Sequence, residues 1–261
     1  MDMDDSAMTT EKPDLPEETA ATANPEHIAV LEQGSGVWHE WREKNPDVKP
    51  ELRGAELDKM DLSGIDLHDA DLREASLKLA NLREANLRNA NLASADLRDA
   101  DARGADLTDA VLSKAKLRST DFRKAVLETV NLAGADLDSA YLDGADLSDA
   151  DLSRARLVNV GLKNADLCGA KLSKAILRKA DMRKAKMRKA NLAHADLRKA
   201  SLHSADLRKV NFSGANLSGA DLRKSRLTKA NVTKADMHGT DLRNANLRGT
   251  DLNTAKGIKK S

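Results

Sequence analysis

One cysteine, five aromatic rings and no long apolar run characterise this 261-residue chain by scarcity. A single thiol, Cys168, excludes an intramolecular disulfide and a cysteine-ligated metal site. Two Trp, two Phe and one Tyr are too few for a core built on aromatic bulk. No stretch approaches the roughly 20 apolar residues of a membrane helix, so no transmembrane segment is expected. The first ten residues are acidic, unlike a secretory leader, and the expected compartment is the cytoplasm. Net charge is also nearly missing, with 43 Lys and Arg against 42 Asp and Glu. Yet 40% of the residues are apolar, overwhelmingly Ala and Leu, which argues against a wholly disordered chain.

What is present is a repeat of five. Stepping from Leu52 to Leu252 visits 41 positions, of which 34 are Leu; the others are Ala, Phe, Met or Val. Stepping from Ala55 to Ala255 visits another 41, of which 32 are Ala. A helix carries such a stripe around its own circumference, because five residues advance about 500°. A continuous strand turns alternate Leu outward, because five is odd. The pattern closes only if each repeat is a short extended piece followed by a corner. With Leu at position i, the Ala at i−2 then also faces inward, i−1 faces out, and i+1 and i+2 turn. Those outer positions carry Asp, Asn, Arg, Lys, Ser and Gly, as turns require. The only aromatic i residues, Phe122 and Phe212, lie 20 residues from the undersized Ala102 and Val232. Large beside small is what close packing asks of stacked neighbours, which points to four repeats per coil.

Units such as Ala135-Asp136-Leu137-Asp138-Ser139 and Ala145-Asp146-Leu147-Ser148-Asp149 resemble the A(D/N)LxX repeats of the pentapeptide-repeat proteins. The resemblance implies an all-β solenoid, a right-handed quadrilateral β-helix of about ten coils, roughly 48 Å long at strand spacing. Residues 51–255 form this body. Ahead of it, residues 1–24 read as a disordered acidic tail and 25–50 as a short helical cap. Helices are expected near Glu26–Gln33 and Val37–Lys44, with Ile28, Leu31, Trp38 and Trp41 covering the first coil. Residues 256–261 read as a basic tail with no amphipathic segment. Self-association through an uncovered last coil, at Leu242, Leu247 and Leu252, is therefore a further expectation.

The individuality lies in the distribution of charge. Residues 1–50 carry 4 basic and 12 acidic side chains, 51–160 carry 15 and 22, and 161–261 carry 24 and 8. The candidate acidic patch is Glu128, Asp136, Asp138, Asp143, Asp146, Asp149 and Asp151, a stretch without Lys or Arg. The candidate basic patch consists of Arg-Lys pairs at i+1 and i+2: Arg178-Lys179, Arg183-Lys184, Arg188-Lys189, Arg198-Lys199, Arg208-Lys209 and Arg223-Lys224. At four repeats per coil these fall two to each of three sides. The fourth side has small i+1 residues from Ala93 to Thr233.

No catalytic, cofactor or metal constellation emerges. None of the six His stacks on another at 20-residue spacing, and Cys168 has no assigned partner. The expected function is a non-catalytic scaffold or adaptor for a protein partner whose identity the sequence does not supply. Two alternatives follow. The resemblance implies DNA mimicry of gyrase or another type II topoisomerase, of the quinolone-resistance type, although the basic C-terminal segment has the wrong sign for a DNA-binding saddle. The basic half itself implies sequence-independent binding of nucleic acid or another polyanion.

Overall fold

In most pentapeptides an Asp or Asn at i−1 bends the chain locally. Its side-chain oxygen accepts the backbone N–H of i+1, as when Ser153 donates to Asp151 Oδ1 at 2.9 Å and Ala193 to Asn191 Oδ1 at 3.1 Å. The N–H of the next i−2 residue then donates to the carbonyl of i, closing a four-residue turn, as Ala55 does to Leu52 at 3.1 Å. The i+2 residue completes the corner in the left-handed region. All forty such residues from Gly54 to Gly249 have φ between 56° and 73°, and thirty of them are not glycine. An isolated L-residue there costs about 1–2 kcal/mol, so coil-to-coil bonding must outweigh a recurring local penalty.

That bonding is regular. Leu52 N–H donates to the Asp71 carbonyl and Asp71 N–H to the Pro50 carbonyl, both at 2.8 Å. Among the described residues, 22–258 of this computed structural model, every parallel bridge joins residues 20 apart, from Glu51–Asp71 to Asp236–Lys256. One bridging residue per repeat, always at i−1, is all the strand there is. The separation of 20 puts four pentapeptides in each turn of the solenoid. It also stacks Phe122 on Ala102 and Phe212 on Val232, all buried, as the size compensation requires.

The core is a double row of i and i−2 side chains from Leu52 to Met237, in which Met60 alone is partly exposed. Polar substitutes at i−2 remain satisfied. The buried Thr120 hydroxyl donates to the Leu97 carbonyl at 2.7 Å, and Ser225 Oγ to the Leu222 carbonyl at 2.6 Å.

Two helices precede the first coil: α1, Pro25–Leu31, and α2, Ser35–Lys44. Asn24 caps α1 by accepting from the Glu26 N–H at 2.9 Å, with Pro25 at the first position, where a missing donor costs nothing. The second helix starts two residues earlier than the sequence suggests and includes Gly36. Trp38 and Leu31 are fully buried in the solenoid core, whereas Trp41 and Ile28 pack at its margin. Trp38 Nε1 donates to the Asp66 carbonyl at 2.6 Å, and Glu51 N–H to His27 Nδ1 at 3.0 Å. Arg42, on the same helix, is buried; its guanidinium donates to the Val48 carbonyl at 2.7 Å and lies 3.6 Å from the Asp66 carboxylate. Nothing in the sequence signals this, because a basic residue on a short helix is ordinarily exposed.

The expected acidic tail lies outside the described residues except for positions 22–24. There Ala23 packs against the core and Asn24 N–H donates to the Glu51 carbonyl at 2.8 Å, so ordered chain begins before residue 25. At the other end the ladder reaches Lys256, one residue past the expected boundary, after a 3-10 turn at Leu252–Thr254. Leu242, Leu247 and Leu252 are only partly buried, unlike every i residue between Leu52 and Met237. No described helix is long and apolar enough to cross a membrane.

Candidate functional site

The surface is assembled from the i−1, i+1 and i+2 side chains, and the i−1 carboxylate decides the fate of the i+1 charge. Where Asp occupies i−1 and Arg i+1, the guanidinium forks onto the carboxylate of its own repeat. Arg198 Nε and Nη2 reach Asp196 at 2.8 and 2.7 Å, and Arg223 reaches Asp221 at 2.9 and 2.8 Å. Arg183–Asp181 and Arg208–Asp206 repeat the arrangement. Hydrogen bonding from Arg198 holds the Asp196 carboxyl below the usual range, and the carboxylate in turn raises the guanidinium. Arg178 reaches the carboxylate of the next coil, 3.7 Å from Asp196.

Of the six arginines in the predicted basic patch, only Arg188 has no carboxylate partner among the described residues, because Lys186 occupies its i−1 position. The six lysines, Lys179, Lys184, Lys189, Lys199, Lys209 and Lys224, sit at left-handed corners and make no ion pair among those residues. The even distribution over three sides thus disappears once neighbouring acids are counted.

One side stands apart. Beyond its Leu67 and Leu87 repeats it runs through those whose core residues are Leu107, Leu127, Leu147 and Leu167, followed by Met187, Leu207, Leu227 and Leu247. Over the four repeats from Leu107 to Leu167 its outward residues include six acids, Asp106, Asp109, Glu128, Asp146, Asp149 and Asp166, and no Lys or Arg. Over the next four they include eight cations, Lys186, Arg188, Lys189, Arg208, Lys209, Arg226, Lys229 and Arg248, with Asp206 the single acid. The reversal occurs within one coil. Asp106 pairs outside the strip with Arg88 at 3.0 Å, and Asp166 spans the boundary to Lys186 at 3.2 Å. The remaining four acids have no ion pair among the described residues, nor do six of the eight cations.

The predicted acidic patch is divided in the same way. Asp136 and Asp138 lie on another side, between Arg118 and Arg156 from the coils before and after: Arg118 Nε is 2.7 Å from Asp136 and Arg156 Nη2 is 2.6 Å from Asp138. Asp143 accepts the Lys163 N–H at 2.7 Å on a third side, and Asp151 the Ser153 N–H on the fourth. Only Glu128, Asp146 and Asp149 belong to the divided side. A linear window without Lys or Arg was a poor guide, because contacts run 20 residues away.

At the reversal lies a surface recess of about 440 Å³ lined by Ser148, Asp149, Cys168, Gly169, Arg188, Lys189, Arg208 and Lys209. Burial, then its hydrogen bond to Asp166, pushes the Cys168 thiol up, which opposes a nucleophilic role. A side chain at Gly169 would collide with the Asp149 carboxylate. No group of His, Cys, Asp or Glu suited to holding a metal occurs among the described residues. The small i+1 residues of the fourth side are half-buried along most of their length, with Ser173 and Ser153 hydroxyls 3.3 Å apart.

Comparison with known proteins agrees with this architecture. The model of the pentapeptide repeats matches in eight copies, over residues 51–89, 90–128, 131–165, 150–188, 162–196, 175–214, 185–224 and 220–256. HetL, a pentapeptide-repeat protein involved in heterocyst differentiation regulation from the cyanobacterium Nostoc sp. strain PCC 7120, is 34% identical. That match covers 85% of this chain and 98% of HetL, with a TM-score of 0.39. Rfr23 from the cyanobacterium Cyanothece 51142 is 31% identical over 34% of this chain and 57% of its own, with a TM-score of 0.18. QnrB1, a plasmid-mediated fluoroquinolone resistance protein, is 17% identical over 73% and 86% of the two chains, with a TM-score of 0.36. No curated protein matches the sequence significantly. Pentapeptide-repeat proteins fold as right-handed β-helices, and with eight copies of the repeat running from residue 51 to 256 this chain belongs to that family.

Proposed function

We propose that this protein is a non-catalytic binding scaffold: a rod of about ten coils, closed at its N-terminal end by α1 and α2, that docks macromolecules along its sides. Pentapeptide-repeat proteins are generally structural or binding proteins rather than enzymes. The observation that carries the reading is the divided side. Six acids followed by eight cations on one strip, most without an intrachain ion pair among the described residues, form an orienting charge pattern for a docking partner. The arginines elsewhere in the basic half already serve an aspartate of their own repeat or, for Arg178, of the next coil, and offer less to a ligand.

A second reading rests on the cationic half of the same strip. Unpaired Arg188, Lys189, Lys209, Arg226, Lys229 and Arg248 suit the phosphates of a nucleic acid or another polyanion. Tyr141, the exposed aromatic ring, lies on another side in the acidic half, so base stacking beside those cations has no platform. DNA mimicry toward gyrase asks for a continuous acidic surface, and here the most acidic strip ends in the most basic one.

The test is capture from native lysate by the tagged full-length protein, with and without nuclease. A defined protein that survives nuclease, elutes with salt and is lost when both strips are neutralised supports the scaffold. Loss of all binding on nuclease treatment transfers the function to the cationic half. Capture unchanged by neutralising the strips overturns the assignment to this side.

A further inference from the structure

We infer that the divided side is a self-recognition surface, on which a second copy of this chain docks antiparallel. The inference rests on the scaffold reading and names one partner for it. Its basis is symmetry. A two-fold axis normal to the strip, passing between the Leu167 and Met187 repeats, brings the acidic repeats of one copy onto the basic repeats of the other, and the reverse. The four repeats before the axis, Leu107 to Leu167, and the four after it match in number, with the Leu67 and Leu87 repeats of each copy beyond the overlap. Every paired repeat thus has a counterpart of opposite sign across roughly 34 Å of rod. A parallel pairing sets like charge on like. The other three sides have no such reversal. On two of them the basic-half repeats mix acids with cations, as at Asp181, Arg183, Asp221 and Arg223. On the small-residue side the Leu192, Phe212 and Val232 repeats carry only Lys234 as a Lys, Arg, Asp or Glu.

Local geometry at the axis agrees. The recess of about 440 Å³ sits at the charge reversal, with Asp149 on one edge and Arg188 on the other. It exists because Cys168 and Gly169 are small where the neighbouring coil carries Arg and Lys. It thus offers room for a long cationic side chain of the second copy next to the unpaired Asp149. The charges that meet across the axis are those without an intrachain ion pair among the described residues: Asp109, Glu128, Asp146 and Asp149 on one strip, and Arg188, Lys189 and Lys209 among those on the other. Of the acids, Asp109 and Asp146 accept hydrogen bonds from Thr129 and Ser148.

The experiment is a charge swap read by analytical ultracentrifugation of the nuclease-treated, full-length protein. One variant carries Glu128→Lys and Asp149→Lys, and the other Lys189→Glu and Lys209→Glu. These exchanges fit the backbone: Asp149, Lys189 and Lys209 sit at left-handed corners that Lys and Glu occupy elsewhere, as at Lys179 and Glu84, and Glu128 sits at an i+1 position that Lys occupies at Lys78 and Lys163. Circular dichroism verifies that both variants remain folded. Wild type is expected to dimerise at low ionic strength and to dissociate as the Debye length shrinks to about 8 Å near 0.15 M salt. Each variant alone should lose at least about tenfold in dimer affinity, and an equimolar mixture should recover a heterodimer. A nitroxide on Cys168 should report a pair distance below about 25 Å; end-to-end stacking through the last coil gives roughly 40 Å or more. A wild-type monomer at low salt overturns the inference and leaves the scaffold reading to be decided by capture. A dimer indifferent to the swaps, or a long Cys168 distance, overturns the antiparallel register. Co-sedimentation only with added nucleic acid assigns the cationic strip to a polyanion and equally overturns the inference.

Discussion

The two ends of the solenoid are made of the same repeat and have different fates. At the first coil Leu52 and Leu57 are as buried as any residue in the middle, because Leu31 and Trp38 lie on top of them and the Asp66 carbonyl accepts the indole N–H. At the last described coil Leu242, Leu247 and Leu252 have neighbours on one side only and stay partly exposed. Identical pentapeptides thus make unequal contributions, and the inequality is set by what stacks on them. In a one-dimensional array each coil's stability is its own plus that of its contacts, so a lost neighbour is felt as fraying.

Trp38→Ala should make the first coil resemble the last. It removes a fully buried ring and orphans the Asp66 carbonyl, and should cost about 3–5 kcal/mol in urea unfolding. Hydrogen exchange should show protection lost first at residues 52–70. Leu252→Ala, at the half-exposed end, should cost under about 1 kcal/mol, since most of the burial is already absent. Equal costs would mean that the helices do not stabilise the first coil.

Between the ends, Ala102→Leu should overpack against Phe122 and cost about 1–3 kcal/mol. Adding Phe122→Leu restores the regular Leu stack and should recover most of that loss in the same unfolding assay. Additive rather than compensating effects would contradict stacking at 20 residues.

A smaller, pH-dependent effect is expected at the arginine-clamped repeats. Asp181, Asp196, Asp206 and Asp221 are each held below the ordinary carboxylate range of 3.8, chiefly by a hydrogen bond from the Arg two residues on, and Asp241 is lowered to about 2 in the same way. A depressed folded pKa favours the native state above the unfolded value, and that contribution fades as pH falls through the folded value. Melting temperature should therefore be flat above pH 4 and decline from about 3.8 towards about 2. The variant Asp196→Asn should lower the plateau slightly and reduce the slope of the decline. A melting temperature that rises on acidification would overturn the sign.

The smallest effect is expected at Thr120, whose hydroxyl bonds the Leu97 carbonyl inside the core. Thr120→Val conserves shape and should change stability by about 1 kcal/mol or less. Thr120→Ala adds a cavity and should cost more.

Much of the fold was legible in the sequence because the register never slips. Leu at i and Ala at i−2 leave only one way to bury both, and Phe122 over Ala102 marks the coil length. Arg42 was invisible, because nothing in a ten-residue helix announces that its guanidinium will be buried against Val48 and Asp66. The candidate surfaces were legible only as totals. Asp136 and Asp138 look unopposed along the chain, yet Arg118 and Arg156 flank them in space. Arg198 looks like a free cation, yet its own Asp196 occupies it.

By itself the sequence determined the repeat, the inward rows and the presence of a corner after each, because these are local consequences of which side chains can be buried and which can turn. The left-handed backbone of thirty non-glycine corners, by contrast, is held against a local cost by coil-to-coil bonding. Tertiary structure alone decided which charges remain free. A residue's electrostatic neighbours are two positions away on one repeat and twenty away on the next coil, and only the stacked solenoid brings both within a few ångströms. From that stacking comes the single side on which six acids meet eight cations, out of a chain whose net charge is +1.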